Sequence, residues 1–191
     1  MNHMSNIPTC ITTRRSVYPR FFTDEEVTTE QIQTLLEAAN WAPTHRMTYP
    51  WRFIVIRGAK KEALGQYLAD LYKAGTSEAA FSERKFKGKR EKALRSSAVI
   101  AIIMQRDPEE SVPEWEELAA LSAAVQNLWI TASSMNLGGY WSSPRSLIGQ
   151  PEFLDLSEGQ TCYGLFYLGN HNMPELPRER KSIAENVQWW D

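Results

Sequence analysis

Arg14-Arg15-Ser16 sets two guanidinium groups and a hydroxyl side by side near the start of the chain. Each guanidinium offers a planar fork of N–H donors, the geometry that grips a phosphate. An Arg-Arg pair is also an ordinary solvated surface, so alone it decides little. A second cationic knot, Arg178, Arg180 and Lys181, stands near the other end. Between them the stretch Trp41–Trp51 gathers Thr44, His45, Arg46, Thr48 and Tyr49 between Pro43 and Pro50. The prolines fix their own φ and push Ala42 and Tyr49 out of the α region, giving a held loop. Such a loop can grip a planar polar ligand, or it can be a stiff connection and bind nothing. Tyr140-Trp141-Ser142-Ser143-Pro144 repeats the composition: aromatic, hydroxyls, proline.

The other common chemistries are missing. No Gly-x-Gly-x-x-Gly follows a strand, and no phosphate loop ends in Gly-Lys-Ser/Thr. His3, His45 and His171 are far apart, and Cys10 and Cys162 stand alone, so no metal-ligand spacing occurs. No serine occupies a Gly-x-Ser-x-Gly elbow. A chain without a nucleophile or paired acid–base group either binds something or takes its chemistry from a cofactor.

The elements that must position these residues read as alternating helix and strand. Thr28 and Gln31 stand at capping-box spacing, and Ile32, Leu35, Leu36 and Ala39 recur at helical period up to Asn40. Phe53–Ile56 reads as a strand covered on both faces, and Lys60–Lys73 as a helix. The stretch 75–92 is rich in lysine and reads as a solvated face, a phosphate-attracting patch being the alternative. Ala98–Ile103 is the clearest strand, expected at the centre. Glu114–Asn136 is the longest helix, small-sided and apolar around much of its girth, as in a core or interface helix. Gly138-Gly139 reads as its left-handed stop. Arg145–Leu156 reads as helix-like, and Cys162–Leu168 as a third strand. The tail from His171 is polar at first but ends in Val187, Trp189 and Trp190, an arm expected to dock on a partner subunit.

The 191 residues suit one domain, 1–191, with 1–9 a flexible lead-in and 171–191 an arm. A net charge of −2 gives no pull toward nucleic acid or membrane surface. No apolar run reaches the roughly 20 residues of a membrane span, and no secretory segment opens the chain. Two cysteines make no disulfide framework, so free thiols and a cytoplasmic location are expected.

Taken in order, Arg14-Arg-Ser-Val-Tyr-Pro-Arg-Phe, Ala42-Pro-Thr-His-Arg-Met-Thr-Tyr-Pro-Trp-Arg-Phe, Gly138-Gly-Tyr-Trp-Ser-Ser, Tyr167-Leu-Gly and Arg180-Lys-Ser-Ile-Ala-Glu-Asn-Val resemble the nitroreductase family. The resemblance is to its short, single-domain bacterial members and runs from about residue 10 to the end. It implies an α+β fold, a three-layer sandwich whose mixed, mainly antiparallel sheet is flanked by helices, assembled as an intertwined homodimer. It implies FMN at the subunit interface, reduced by NADPH or NADH, and a small-molecule acceptor such as a nitroaromatic or quinone. By the same resemblance Arg14, Arg15 and Ser16 meet the flavin's phosphate and ribityl chain, with Arg180 and Lys181 on the phosphate as well. Thr44, His45 and Tyr49 would lie along the isoalloxazine and ribityl, and Trp141, Ser142 and Ser143 would approach the ring from the other subunit. The chain departs from the family pattern at Tyr49, where relatives commonly carry an amide, and at Ser142, where they can carry Arg. Reductive dehalogenation, oxidative flavin chemistry, flavin storage and a cofactor-free interaction domain stand as alternatives.

Overall fold

The computed structural model describes residues 7–149, 151–174 and 179–190. Helix α1 (Ile7–Thr13) is followed by a single 3-10 turn, Pro19–Phe21, where the sequence reads as an extended arm from Phe21. Helix α2 (Thr29–Asn40) starts at the expected capping box: Thr28 Oγ1 accepts from Gln31 N, and Gln31 Oε1 accepts from Thr28 N. Strand β1 (Trp51–Ile56) leads to α3 (Ala59–Ala74) and α4 (Glu83–Leu94). Strand β2 (Ala98–Gln105), helix α5 (Glu114–Ser134), strand β3 (Leu137–Ser142) and strand β4 (Gln160–Asn170) complete the body. Three carboxylates, Glu114, Glu116 and Glu117, lie in the first turn of α5, where the helix dipole favours them.

The strand order is β1-β2-β4-β3, and every pairing between these strands is antiparallel. The mixed character expected of the sheet reduces, among the described residues, to one parallel bridge, Ser16 to Gly139. Strand period two then sorts the side chains into two cores. Ala98, Ile100, Ile102 and Met104 face α2 and α5, whereas Val99, Ala101 and Ile103 face α3 and α4. The result is an α+β sandwich of three layers, helices on both faces of one sheet. Strand β2 is buried along nearly its whole length, as expected for a central strand.

Three sequence expectations are corrected. Strand β1 lies at the sheet edge, and its Ile54 and Val55 are part-exposed rather than covered on both faces. Gly138 and Gly139 are not a helix stop but the middle of β3, paired with Gly169 and Leu168. The left-handed residue that ends α5 is Asn136, at φ 56°. The helix-like stretch 145–156 is turns and one 3-10 turn, Glu152–Leu154. Most of the lead-in, residue Gln150 and residues 175–178, with Arg178, lie outside the described residues. Cys10 and Cys162 are both buried.

Candidate functional site

The outer edge of β3 carries the first set of residues. The segment after α1 runs beside it, with Ser16 bridged to Gly139 and Val17 N donating to Gly139 O at 2.9 Å. Arg14 is half-buried there, its guanidinium carbon 4.2 Å from the centre of the Trp129 ring on α5. That is cation–π distance, and the indole holds the charge in place. Arg15 turns the other way: its Nη1 donates to the carbonyls of Thr12 (3.0 Å), Thr13 (2.7 Å) and Arg14 (3.0 Å). It closes the C-terminus of α1 and so fixes where Arg14 and Ser16 begin.

Trp141 points to the α5 face of the sheet and Tyr140 to the α3/α4 face, as successive strand residues must. The Trp141 indole donates to Tyr163 O at 3.1 Å. A β-bulge makes this possible, since the β2–β4 register skips Tyr163 between Cys162 and Gly164. Gly164 there has φ 129°, and a Cβ on it would meet Ser142 O at 2.5 Å and Trp141 Nε1 at 2.8 Å. Only glycine fits under the end of β3, a requirement invisible in the sequence. The Tyr163 hydroxyl is pushed up by burial and by the Glu114 carboxylate beside it.

The second set is the Thr44–Tyr49 loop, at the opposite end of the sheet order. Its backbone is strained: Arg46, Met47 and Tyr49 all have positive φ, 50°, 55° and 43°. The strain is held by ordinary bonds. Thr44 Oγ1 lies 3.2 Å from Thr48 Oγ1 and accepts from Tyr49 N at 3.3 Å. The Trp51 indole donates to Asn40 Oδ1 at 3.1 Å, and Gln105 N donates to Pro50 O at 2.7 Å. His45 Nδ1 meets Glu116 Oε2 at 2.5 Å, tying the loop to the start of α5. Pro43, Thr44 and His45 with Trp115, Glu116, Ala119 and Ala120 line a cavity of about 390 Å³.

A larger cavity, about 500 Å³, opens between the 3-10 turn and α4, lined by Tyr18, Pro19, Arg20, Gly88, Glu91, Lys92 and Arg95. Burial pushes the Lys92 ammonium down from its ordinary value, and the group lies 5.4 Å from the Tyr140 ring centre. The sequence reading singled out neither Tyr18 nor Arg95, and left Lys92 within a solvated run. The only signal was that basic run, because the groups facing it come from some 70 positions earlier.

The structure therefore joins Arg14, Arg15, Ser16, Trp141 and Ser142 along one strand edge, with Ser143 exposed just beyond it. It joins Thr44, His45 and Tyr49 in one loop. Arg180 and Lys181 are exposed on the arm, which holds a 3-10 turn, Ile183–Asn186, and no buried residue among those described. The two sets do not meet within one chain. Their anchors on α5, Glu116 and Trp129, are thirteen residues apart. At 1.5 Å and 100° per residue that is about 20 Å of helix and more than half a turn of rotation between them. Among the described residues no cluster of His, Cys, Asp and Glu could hold a metal ion, and no helix is long and apolar enough to cross a membrane.

Known proteins resemble this chain in sequence and in fold. YdjA of Escherichia coli strain K12, provisionally named an NAD(P)H nitroreductase, is 28% identical over 163 residues, 84% of this chain and 83% of the relative. A crystal structure of a nitroreductase-like family protein from Bacillus cereus superposes with a TM-score of 0.77 at 26% identity, covering 98% of this chain and 97% of that one. A Desulfovibrio desulfuricans structure, described as a provisional nitroreductase in complex with FMN, gives a TM-score of 0.70 at 25% identity, covering 96% and 95%. The model of the Nitroreductase family matches residues 11–170, a span that holds both residue sets and the whole sheet. With sequence, fold and motif order in agreement, the chain belongs to the nitroreductase family.

Proposed function

We propose that the protein is an FMN-dependent oxidoreductase that takes a hydride from NADPH or NADH and passes it to a nitroaromatic, quinone or similar acceptor, alternating donor and acceptor in one pocket. The observation that carries the reading is the Arg14–Ser16 segment on the β3 edge. A guanidinium fixed over Trp129 and a neighbouring hydroxyl form a donor set that suits a phosphate monoester. Gly139 leaves the backbone bare at that point, because a Cβ would strike Phe166 and Trp129. These features fit FMN. The flavin, when bound, supplies the hydride chemistry, which asks for no protein acid–base group.

The chain's own residues bind and orient. In this reading Arg14 and Ser16 hold the phosphate and ribityl, and Arg15 sets their position by closing α1. Because β3 also carries the Arg14–Ser16 edge, Trp141, Ser142 and Ser143 border the ring in this reading from the protomer that holds the phosphate, not from the other subunit as the resemblance implies. Thr44, His45 and Tyr49 reach it from the second protomer, which accounts for the 20 Å and the rotation that separate the two sets in one chain. Arg180 and Lys181, with the aromatic arm behind them, add charge at the phosphate and clasp the partner. The complete site thus belongs to a homodimer.

The test is an absorbance spectrum of the purified protein with FMN, before and after anaerobic NADPH and then NADH. A flavin band that bleaches supports the oxidoreductase, and the faster nucleotide names the donor. A band that persists with both leaves a flavin-binding protein without turnover, and protein that takes up no FMN removes the proposal.

A further inference from the structure

The indole N–H groups of Trp51 and Trp141 donate to Asn40 Oδ1 and Tyr163 O, each at 3.1 Å. Trp129 differs: its Nε1 is buried and has no hydrogen-bond partner among the described residues. A buried polar group left unpaired costs stability, so each such exception asks for a reason. If the position only filled space, a phenyl ring would fill it without an unpaired donor. What an indole offers beyond a phenyl is its face, the best of the aromatic faces for a cation. The Arg14 guanidinium carbon lies 4.2 Å from the centre of that ring. The ring itself has little freedom. Phe166, fully buried, meets it at 5.3 Å with an interplanar angle of 86°. Gly139 passes so close that a Cβ there would lie 3.0 Å from Trp129 Nε1. The same glycine is bridged to Ser16, so the backbone and the side chain of the Arg14 segment are both referred to one point of β3.

We propose that Trp129 is a positioning residue of the flavin site: its face holds the Arg14 guanidinium where the phosphate is met, and so sets the preference for FMN over riboflavin, the same flavin without a phosphate. An arginine side chain is long and rich in rotamers, and ordering it when a ligand arrives opposes binding. An indole that fixes the guanidinium beforehand removes that opposition. A cation–π contact engages the flat face of a guanidinium, whereas a phosphate is met at its N–H edge, so one group can make both. Trp129 acts in this assignment through Arg14 and not on the reacting ring. The inference rests on the flavin reading of the Arg14–Ser16 segment and adds the residue that stands behind it.

The experiment measures the affinity of the full-length protein, freed of flavin by dialysis, for FMN and for riboflavin, by the quenching of flavin fluorescence. We expect Trp129→Leu to weaken FMN binding about tenfold and riboflavin binding little, the worth of one desolvated cation–π contact. Trp129→Phe keeps an aromatic face and should fall between, and it serves alone if the leucine variant does not fold. In Arg14→Ala the guanidinium is gone, so adding Trp129→Leu should lower the ratio of the two affinities no further. Equal weakening of both flavins by Trp129→Leu overturns the proposal, because a merely structural role lowers both. A ratio that survives the substitutions overturns it too, as does a further drop on top of Arg14→Ala. Uptake of neither flavin by the unaltered protein removes the flavin reading and this inference with it. The expected ratios in a protein that neither nucleotide bleaches leave this inference standing and remove the oxidoreductase reading instead.

Discussion

A Cβ on Gly139 would come within 2.3 Å of Phe166 Cζ and 3.0 Å of Trp129 Nε1, both in the packed layer under β3. Phe166 is fully buried and meets Trp129 edge-on at 5.3 Å, so neither ring has an easy retreat. Gly139→Ala should therefore destabilise the protein by about 1–3 kcal/mol, the usual cost of overpacking, read from urea unfolding. Because Arg14 rests on the displaced indole, the same variant should also bind FMN less tightly than the unaltered protein. His171 makes a second prediction at this scale. Burial holds its imidazole below the ordinary value of 6.5, and its Nδ1 accepts from Met173 N at 3.2 Å, a bond that protonation would break. The unfolded chain takes its proton near 6.5, the folded one only at lower pH. Stability is thus full above 6.5 and is lost as pH falls through the folded value. Urea midpoints between pH 7.5 and pH 5 should fall less steeply in His171→Gln, and an unchanged slope would assign the acid loss to other groups.

Elements were legible in the sequence where the cause was local. Thr28 and Gln31 sit three apart, and their reciprocal bonds form as the spacing requires. The apolar run of β2 announced a central strand because both its faces are buried. Strand β3 was hidden because Gly138-Gly139 looks like punctuation. Its glycines answer to Phe22, Val17 and Phe166, contacts that exist only after folding. The edge position of β1 depends on strand order, which its own six residues do not encode. The cationic motifs were readable as motifs, but the Arg20–Lys92–Arg95 convergence joins segments distant in sequence. The C-terminal stretch stands out in the sequence by its terminal aromatics, and these are exposed in this chain. Ile183 is 72% exposed, Trp189 85% and Trp190 91%, an apolar surface large for a segment that touches little of its own chain. Ending the chain after Arg178 should weaken dimerisation and lower FMN affinity together, measured by sedimentation at several concentrations and by flavin titration. An intact yellow dimer from the truncated chain would show that the arm clasps nothing.

For the whole molecule, the decisive feature is that Arg14 and His45 anchor about 20 Å apart on different sides of α5. Helix α5 leaves Trp115 68% exposed at its start, beside the loop, so the surface between the two sets is not closed by the chain itself. A two-fold pairing would bring the Arg14 edge of one protomer to the Thr44–Tyr49 loop of the other, making two equivalent sites. This arrangement can be tested by complementation. Arg14→Ala removes the phosphate half, and a loop variant carrying Thr44→Ala with His45→Ala removes the ring half, so each homodimer should hold little FMN. Mixing equal amounts through a dissociating step makes half of the dimers mixed. Each mixed dimer holds one site with both defects and one with neither, so about a quarter of the normal FMN should return. If both halves came from the same chain, every site in the mixture would keep one defect, and no flavin would be regained. The yield of bound flavin on mixing therefore reads directly whether the site spans two subunits.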